Sequence, residues 1–115
     1  MIKIDSDILV SITKVDNDIL ISAQTERDYS TLGHQIAFCE KVKKKEIYIE
    51  FKKVKVPAAG LTALGPATCN IDLGNIENGE YSVTFKLNKK KTKGKLIVGT
   101  STQLYIDSGG NVKHE

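Results

Sequence analysis

The clearest pattern in the chain is a strict alternation of apolar and polar residues between Glu80 and Leu87. The apolar members of this run are Tyr81, Val83, Phe85 and Leu87. Because successive side chains of a strand point to opposite faces, these four belong to one buried face. An Asn-Gly turn precedes the run, and a tyrosine directly after such a turn is typical of a pinned strand-to-strand corner in a β-sandwich. The pattern therefore predicts a half-buried strand with Tyr81 at a corner.

The same alternation recurs along the chain and predicts seven or eight short strands with no helical segment. The predicted segments are a strand ending near Val15, a return from Ile19, His34 to Glu40, a long strand through Phe51, Ala67 to Leu73, Glu80 to Leu87, Lys95 to Val98, and an edge strand from Leu104 to Ile106. Gln24 to Leu32 is polar and is predicted to be a connection, and Ser108 to Asn111 a fraying tail. The change of apolar parity after Phe51 predicts a bulge near Lys52-Lys53. The fold class is therefore all-β, and we expect an antiparallel immunoglobulin-like β-sandwich with Greek-key connections, forming one domain over residues 1–115.

Length and composition agree with a small folded domain of modest charge. The 115 residues are 40% hydrophobic, which suffices for one core. No apolar run approaches the ~20 residues of a transmembrane helix, and no signal peptide is visible. The net charge is +3, with 17 basic and 14 acidic residues.

Most lysines fall into two clusters, one around Lys41–Lys45 and one around Lys89–Lys95. We expect both clusters to be solvated turns and strand edges, where charge also prevents unwanted sheet pairing. There is a single arginine for bidentate phosphate contacts, so nucleic acid is not an expected partner. Nucleic-acid binding through the two clusters remains a third hypothesis, which steep salt dependence would support.

The two cysteines, Cys39 and Cys69, leave two alternatives open. Cys69 shares the parity of Ile71 and is predicted to point inward, while Cys39 ends an apolar segment. The alternatives are an inter-strand disulfide, if the protein lives in an oxidising compartment, and two independent buried thiols. The spacing offers no paired metal ligands, so no metal site is predicted.

No constellation of residues points to catalysis. Only two histidines are present, and His34 is predicted to lie at the surface or a strand edge. The chain lacks a nucleophile elbow, a phosphate-binding loop with its lysine, and an H-E-x-x-H motif. Asp16-Asn17-Asp18 suits a tight turn better than a calcium loop. We therefore predict a protein that is not an enzyme and has neither catalytic residues nor a cofactor.

The segment Pro57–Pro66 is unusual because its ten residues include no charge. Connections are normally polar, since their backbone groups face water. Prolines at both ends restrict its backbone, and a stiff apolar loop loses little entropy on binding. The residues assigned to this candidate binding loop are Pro57, Gly60, Leu61, Thr62, Leu64 and Pro66. The alternative is that the loop caps the core, with Leu61 and Leu64 buried.

The run Ile71–Phe85, followed by Gly94–Val98, resembles the last strands of immunoglobulin-like domains from secreted or lipid-anchored proteins of the Bacteroidetes cell envelope. The resemblance covers about the last 40% of the chain and transfers no active-site residues. It implies an exported protein that is extracellular, periplasmic or attached to the outer membrane by a lipid anchor upstream. Such domains serve as adhesins, accessory modules of enzymes and inhibitors of peptidases.

Together these observations favour a non-enzymatic exported binding domain, most specifically a peptidase inhibitor that presents loop 57–66 to another protein. The alternative is a structural or adhesion module of the cell envelope. Fold alone does not decide between them.

Overall fold

A computed structural model describes all 115 residues, as nine strands without any helix. The strands are β1 (Ile8–Val15), β2 (Asp18–Thr31), β3 (Gln35–Lys43), β4 (Glu46–Lys55), β5 (Thr62–Gly74), β6 (Gly79–Leu87), β7 (Lys90–Val98), β8 (Gln103–Ile106) and β9 (Val112–His114). The all-β prediction is confirmed. No helix is present with the length and apolar character needed to cross a membrane.

All nine strands belong to one sheet, in the order β8-β7-β6-β4-β3-β5-β2-β1-β9. The two outermost strands, β8 and β9, approach each other, so the sheet is nearly barrel-shaped. The pairs β1–β9, β3–β5 and β4–β6 are parallel, and the remaining pairs are antiparallel. The expectation of a purely antiparallel sheet is thus corrected to a mixed one, and the immunoglobulin-like sandwich is not confirmed. The physical reason is that alternation specifies a strand and its buried face but does not specify its neighbours.

The core lies inside the curved sheet and is built from the alternating positions. Twenty-three buried hydrophobic residues form one cluster, and Val83, Phe85 and Leu87 of β6 are fully inaccessible. The predicted corner is present, because the Tyr81 hydroxyl donates a hydrogen bond of 2.7 Å to the Glu77 carbonyl oxygen. The Lys45 ammonium lies 4.6 Å from the centre of the same ring.

Several predicted boundaries are corrected by the structure. The polar segment after Gln24 continues β2 to Thr31 and is not a connection, and the tail after Ser108 forms β9. The second lysine cluster mostly lies within β7 and not in a turn. The bulge predicted near Lys52-Lys53 is confirmed, since β3 pairs with Phe51 and then with Lys53, which leaves Lys52 unmatched.

Candidate binding site

The predicted binding loop is partly a strand, because β5 begins at Thr62 and includes half of Pro57–Pro66. Here β5 pairs with the distal end of β2, with Thr31 opposite Thr62 and Asp28 opposite Pro66. We call Asp28–Thr31 together with Thr62–Pro66 the β2–β5 ribbon. The loop is therefore held in an extended form along one of its edges.

A buried threonine holds the base of this ribbon where the β2–β5 ladder is interrupted. The register shifts between Gln24 and Asp28, so the Ala67 amide has no backbone partner on β2. The Thr25 hydroxyl replaces that partner, accepting a hydrogen bond from the Ala67 amide at 3.0 Å. The same hydroxyl donates to the Arg27 carbonyl oxygen at 2.8 Å. Thr25 and Ala67 are almost inaccessible, so the hydrogen bond between them is out of contact with water.

The other edge of the ribbon's β5 segment has no strand beside it. β3 pairs with β5 at one position, Gln35 opposite Thr68, where the Thr68 amide donates to the His34 carbonyl oxygen at 3.2 Å. The register gives residues 62–67 no partner on that side. Because backbone groups of a strand point alternately to its two edges, some N–H and C=O groups of this segment are left for another chain. Pro66 is compatible with this place, since proline is tolerated at edges and bulges.

Both leucines of the loop are on the surface, Leu61 at 74% and Leu64 at 75% exposure. Leu32 is exposed beside them, and its amide donates to the Leu61 carbonyl oxygen at 3.0 Å. Three large apolar side chains therefore form a surface at the ribbon's end. The alternative, in which Leu61 and Leu64 are buried in the core, is therefore wrong.

The remaining candidate residues hold the loop in place. Pro57 is half-buried and packs against the turn at Gly33. A Cβ added at Gly33 would lie 3.5 Å from the Pro57 Cβ, which is an ordinary van der Waals contact. Gly60 permits close approach, since a Cβ at that position would lie 2.6 Å from the Leu32 carbonyl oxygen. Thr62 and Pro66 lie in β5 itself. The loop is thus anchored at its proline and glycine positions and exposed at its leucines.

An aromatic cluster lies under the ribbon and explains the position of His34. The His34 ring is stacked on Tyr29, with ring centres 4.6 Å apart and planes 16° from parallel. Its Nδ1 lies 2.8 Å from the Thr31 carbonyl oxygen. His34 is buried, which corrects the expectation of a surface position. Its side chain packs against the turn between β2 and β3.

A charged pair flanks that cluster. The Arg27 guanidinium bonds the Asp5 carboxylate and lies 5.0 Å from the centre of the Tyr29 ring. The hydrogen bond from Arg27 holds the pKa of Asp5 below its ordinary value. Burial raises the pKa of Tyr29, whose hydroxyl has no hydrogen-bond partner. The Arg27–Asp5 pair and the stacked Tyr29–His34 rings therefore lie together at the base of the ribbon.

The two cysteines are free thiols in the structure, Cys39 exposed and Cys69 half-buried. β3 and β5 are neighbours, but the pairing of Gln35 with Thr68 places Cys69 beside Ile36, three residues short of Cys39. Three residues of a strand span about 10 Å, farther than the ~7 Å that a disulfide can join. Burial raises the pKa of the Cys69 thiol from 9.0 to about 12, so it carries no thiolate near neutral pH.

No group of three or more histidine, cysteine, aspartate or glutamate side chains is placed to hold a metal ion. Comparison with protein-family models, with curated protein sequences and with solved structures found no match. The features that support a function are therefore the geometry and the charge of this chain itself.

Proposed function

We propose that the protein is a non-enzymatic exported domain that binds another protein through Pro57–Pro66, and that this partner is a peptidase. One observation supports the proposal above the others. Leu61 and Leu64 are three-quarters exposed on a segment that is held extended along one edge and lacks a strand along the other.

An extended segment with a free edge suits a peptidase cleft. Peptides add to a protein edge through main-chain hydrogen bonds, while alternate side chains enter pockets. An apolar pocket of the partner would take Leu64 or Leu61. Burying one leucine side chain contributes about 1.5–3 kcal/mol, so both leucines together account for only part of a tight complex. The main-chain hydrogen bonds supply the rest.

Resistance to cleavage follows from the same anchoring. The ribbon is paired with β2, and Pro57 and Gly60 fix the approach of the chain to Leu32. Since the segment is already ordered, binding costs little conformational entropy, and a cut chain would remain held on both sides. A substrate-like loop on such a support inhibits a peptidase instead of being released.

The test is residual activity of serine, cysteine and metallo-peptidases in the presence of excess protein, followed by mass spectrometry of the chain. We expect inhibition with the chain intact or nicked only within Pro57–Pro66. Leu64→Asp, Leu61→Asp or both should weaken inhibition at least tenfold, because a carboxylate must then enter an apolar pocket. Val15→Asp is the matched control, since Val15 is an exposed apolar residue of the β1–β2 hairpin.

Inhibition that persists unchanged in both folded leucine variants would refute the loop as the reactive element. No inhibition of any class, with residues 57–66 uncut, would refute the peptidase as partner. That second outcome would favour a structural or adhesion module of the cell envelope that uses the same apolar surface.

A further inference from the structure

The structure brings Lys41 of the first lysine cluster and Lys93 of the second, distant in sequence, onto one outer face of the sheet. Tyr48 of β4 lies opposite Lys41 of β3 on one side and opposite Thr84 of β6 on the other. Thr84 in turn lies opposite Lys93 of β7. Because directly paired residues share a face, the four side chains form one row across four strands. Their buried neighbours in sequence, such as Ile47 and Val83, face the core.

Three hollows follow one another along this face, and lysines line each of them. The first, of about 570 Å³, lies at the end of β4 and β6. Its lysines are Lys3, Lys52, Lys53, Lys86 and Lys89. The second, of about 440 Å³, contains Tyr48 and Thr84 with Lys91 and Lys93. The third, of about 480 Å³, contains Lys93 and Lys95 beside Tyr105. We call these three hollows the basic track.

The charge of the molecule is concentrated here. The lining of the three hollows includes eight lysines and three carboxylates, a net charge of +5. The whole chain carries +3, so the rest of the molecule sums to −2. The basic track therefore has the sign of charge that attracts polyanions, and the remaining surface does not.

Five of the eight lysines have no carboxylate within 4 Å. Glu50 is shared by Lys52 at 3.0 Å and Lys86 at 3.8 Å, and Lys95 pairs with Glu80 at 3.0 Å. The lysines without an ion pair are Lys3, Lys53, Lys89, Lys91 and Lys93. Lys93 donates only to the Thr84 hydroxyl, at 3.1 Å. These five ammonium groups are left for charges outside the chain.

Protection of sheet edges does not account for the lysines of β7. Charged side chains commonly prevent pairing at an exposed edge strand. However, β7 pairs with β6 along its whole length and with β8 at Gly94–Ile97, and the Lys93 carbonyl oxygen accepts a hydrogen bond from the Asp107 amide. Lys93 and Lys95 therefore do not lie at an open edge and need another explanation.

We propose that the basic track binds single-stranded nucleic acid without sequence preference. The ammonium groups would contact phosphates, and the rings of the half-buried Tyr48 and the exposed Tyr105 would stack against bases. Tyr48 lies among the lysines of the second hollow, and Tyr105 lies opposite Lys95 at the third. Interleaved aromatic and basic side chains on a sheet face are the combination that single-strand binding requires. The one arginine, Arg27, lies on β2, outside the track, so no bidentate base contacts are expected there.

The test is fluorescence polarisation of a labelled oligothymidine of about 12 nucleotides, titrated between about 50 and about 200 mM salt. With five unpaired lysines, the logarithm of the affinity should fall with the logarithm of salt at a slope of about −3.5. Lys91→Gln with Lys93→Gln should reduce the slope to about −2. The matched control is Lys14→Gln with Lys55→Gln, which also removes two lysines without ion pairs but from outside the track, and should leave the slope unchanged.

The stacking of bases on tyrosine rings distinguishes single-stranded nucleic acid from other polyanions. Tyr48→Leu should weaken binding of the single strand about tenfold, the effect of one lost base stack, and leave the salt slope unchanged. A duplex of the same length and a heparin fragment should bind more weakly than the single strand. No binding at low salt, or an equal loss in the control pair, would overturn the proposal. Equal affinity for heparin together with an unaffected Tyr48→Leu variant would also overturn it. Leu64→Asp should not affect any of these measurements, so they are independent of the peptidase proposal.

Discussion

Replacing Thr25 with valine tests how the ribbon is attached to the sheet. Valine has nearly the shape of threonine but no hydroxyl, so the Ala67 amide loses the oxygen that it donates to at 3.0 Å. Ala67 is fully buried and water does not reach its amide. The Arg27 carbonyl oxygen also loses its bond, but Arg27 is exposed and water can replace the donor.

One unsatisfied buried amide costs about 1–3 kcal/mol, so we expect a loss of about 2 kcal/mol in the free energy of unfolding. The entropy of unfolding is about 2.1 cal/mol/K per residue, or about 0.24 kcal/mol/K for this chain. The melting temperature of Thr25→Val should therefore fall by about 8 °C. Thr25→Ser keeps the hydroxyl and loses one methyl group, so it should lose only about 1 kcal/mol.

The assay combines urea denaturation with amide hydrogen exchange measured by NMR. In Thr25→Val the protection of the Ala67 amide against exchange should fall by more than the global free energy of unfolding falls. The protection of the β6 amides should fall only by the global amount. Equal destabilisation by serine and valine would refute the reasoning, because packing would then explain the effect. An Ala67 amide in Thr25→Val that stays as protected as in the wild type would refute it as well.

Three further predictions concern the corner, the thiols and the β7–β8 contact. Tyr81→Phe removes the corner hydrogen bond and should lower the free energy of unfolding by about 1 kcal/mol; an unchanged melting temperature would contradict it. At about pH 8 a maleimide should modify the exposed Cys39 alone, and Cys69 only in denaturant, as counted by mass spectrometry. Since folding raises the pKa of Cys69 to about 12, the folded state holds that proton more tightly, and stability should fall as the pH rises above 9.0. Gly94→Ala should cost about 1–3 kcal/mol, because a Cβ there would lie 2.5 Å from a backbone oxygen of β8; Gly99→Ala, with nothing within 4 Å, should change stability by less than about 0.5 kcal/mol.

Local patterns in the sequence were sufficient to predict a strand wherever one face of that strand is buried. β6 was predicted because Tyr81, Val83 and Phe85 alternate with polar residues, and the bulge in β4 because the apolar parity changes after Phe51. The distal half of β2 was missed, since Arg27 and Asp28 are exposed and the ribbon has little buried face to impose a period. No local pattern distinguishes such a strand from a polar loop.

The pairing of strands in the sheet could not be predicted from local patterns, for a different reason. The parallel pairing of β4 with β6 joins segments that are separated by an intervening strand and loop, and side-chain alternation is the same in parallel and antiparallel strands. The basic track depends on that pairing, because Tyr48 and Lys93 meet only through Thr84. The unusual loop Pro57–Pro66 was recognisable from its lack of charge, but that lack left open whether Leu61 and Leu64 are exposed or buried. The strand character of Thr62 depends on Thr31, thirty-one positions earlier.

The distribution of charge between the two surfaces is opposite to that expected from protection against aggregation. The segment from Thr62 to Ala67 has an open edge and no charged side chain, whereas Lys93 and Lys95 lie where β7 is hydrogen-bonded on both sides. Short length, the flanking bulges and Pro66 limit indiscriminate pairing at the open edge without adding charge. A lysine there would protect the edge equally well, but it would also need to be desolvated when a partner docks, at a cost that an apolar segment avoids. An uncharged free edge together with lysines on an interior part of the sheet is therefore the arrangement expected if each surface is used for recognition, the first of an apolar cleft and the second of a polyanion.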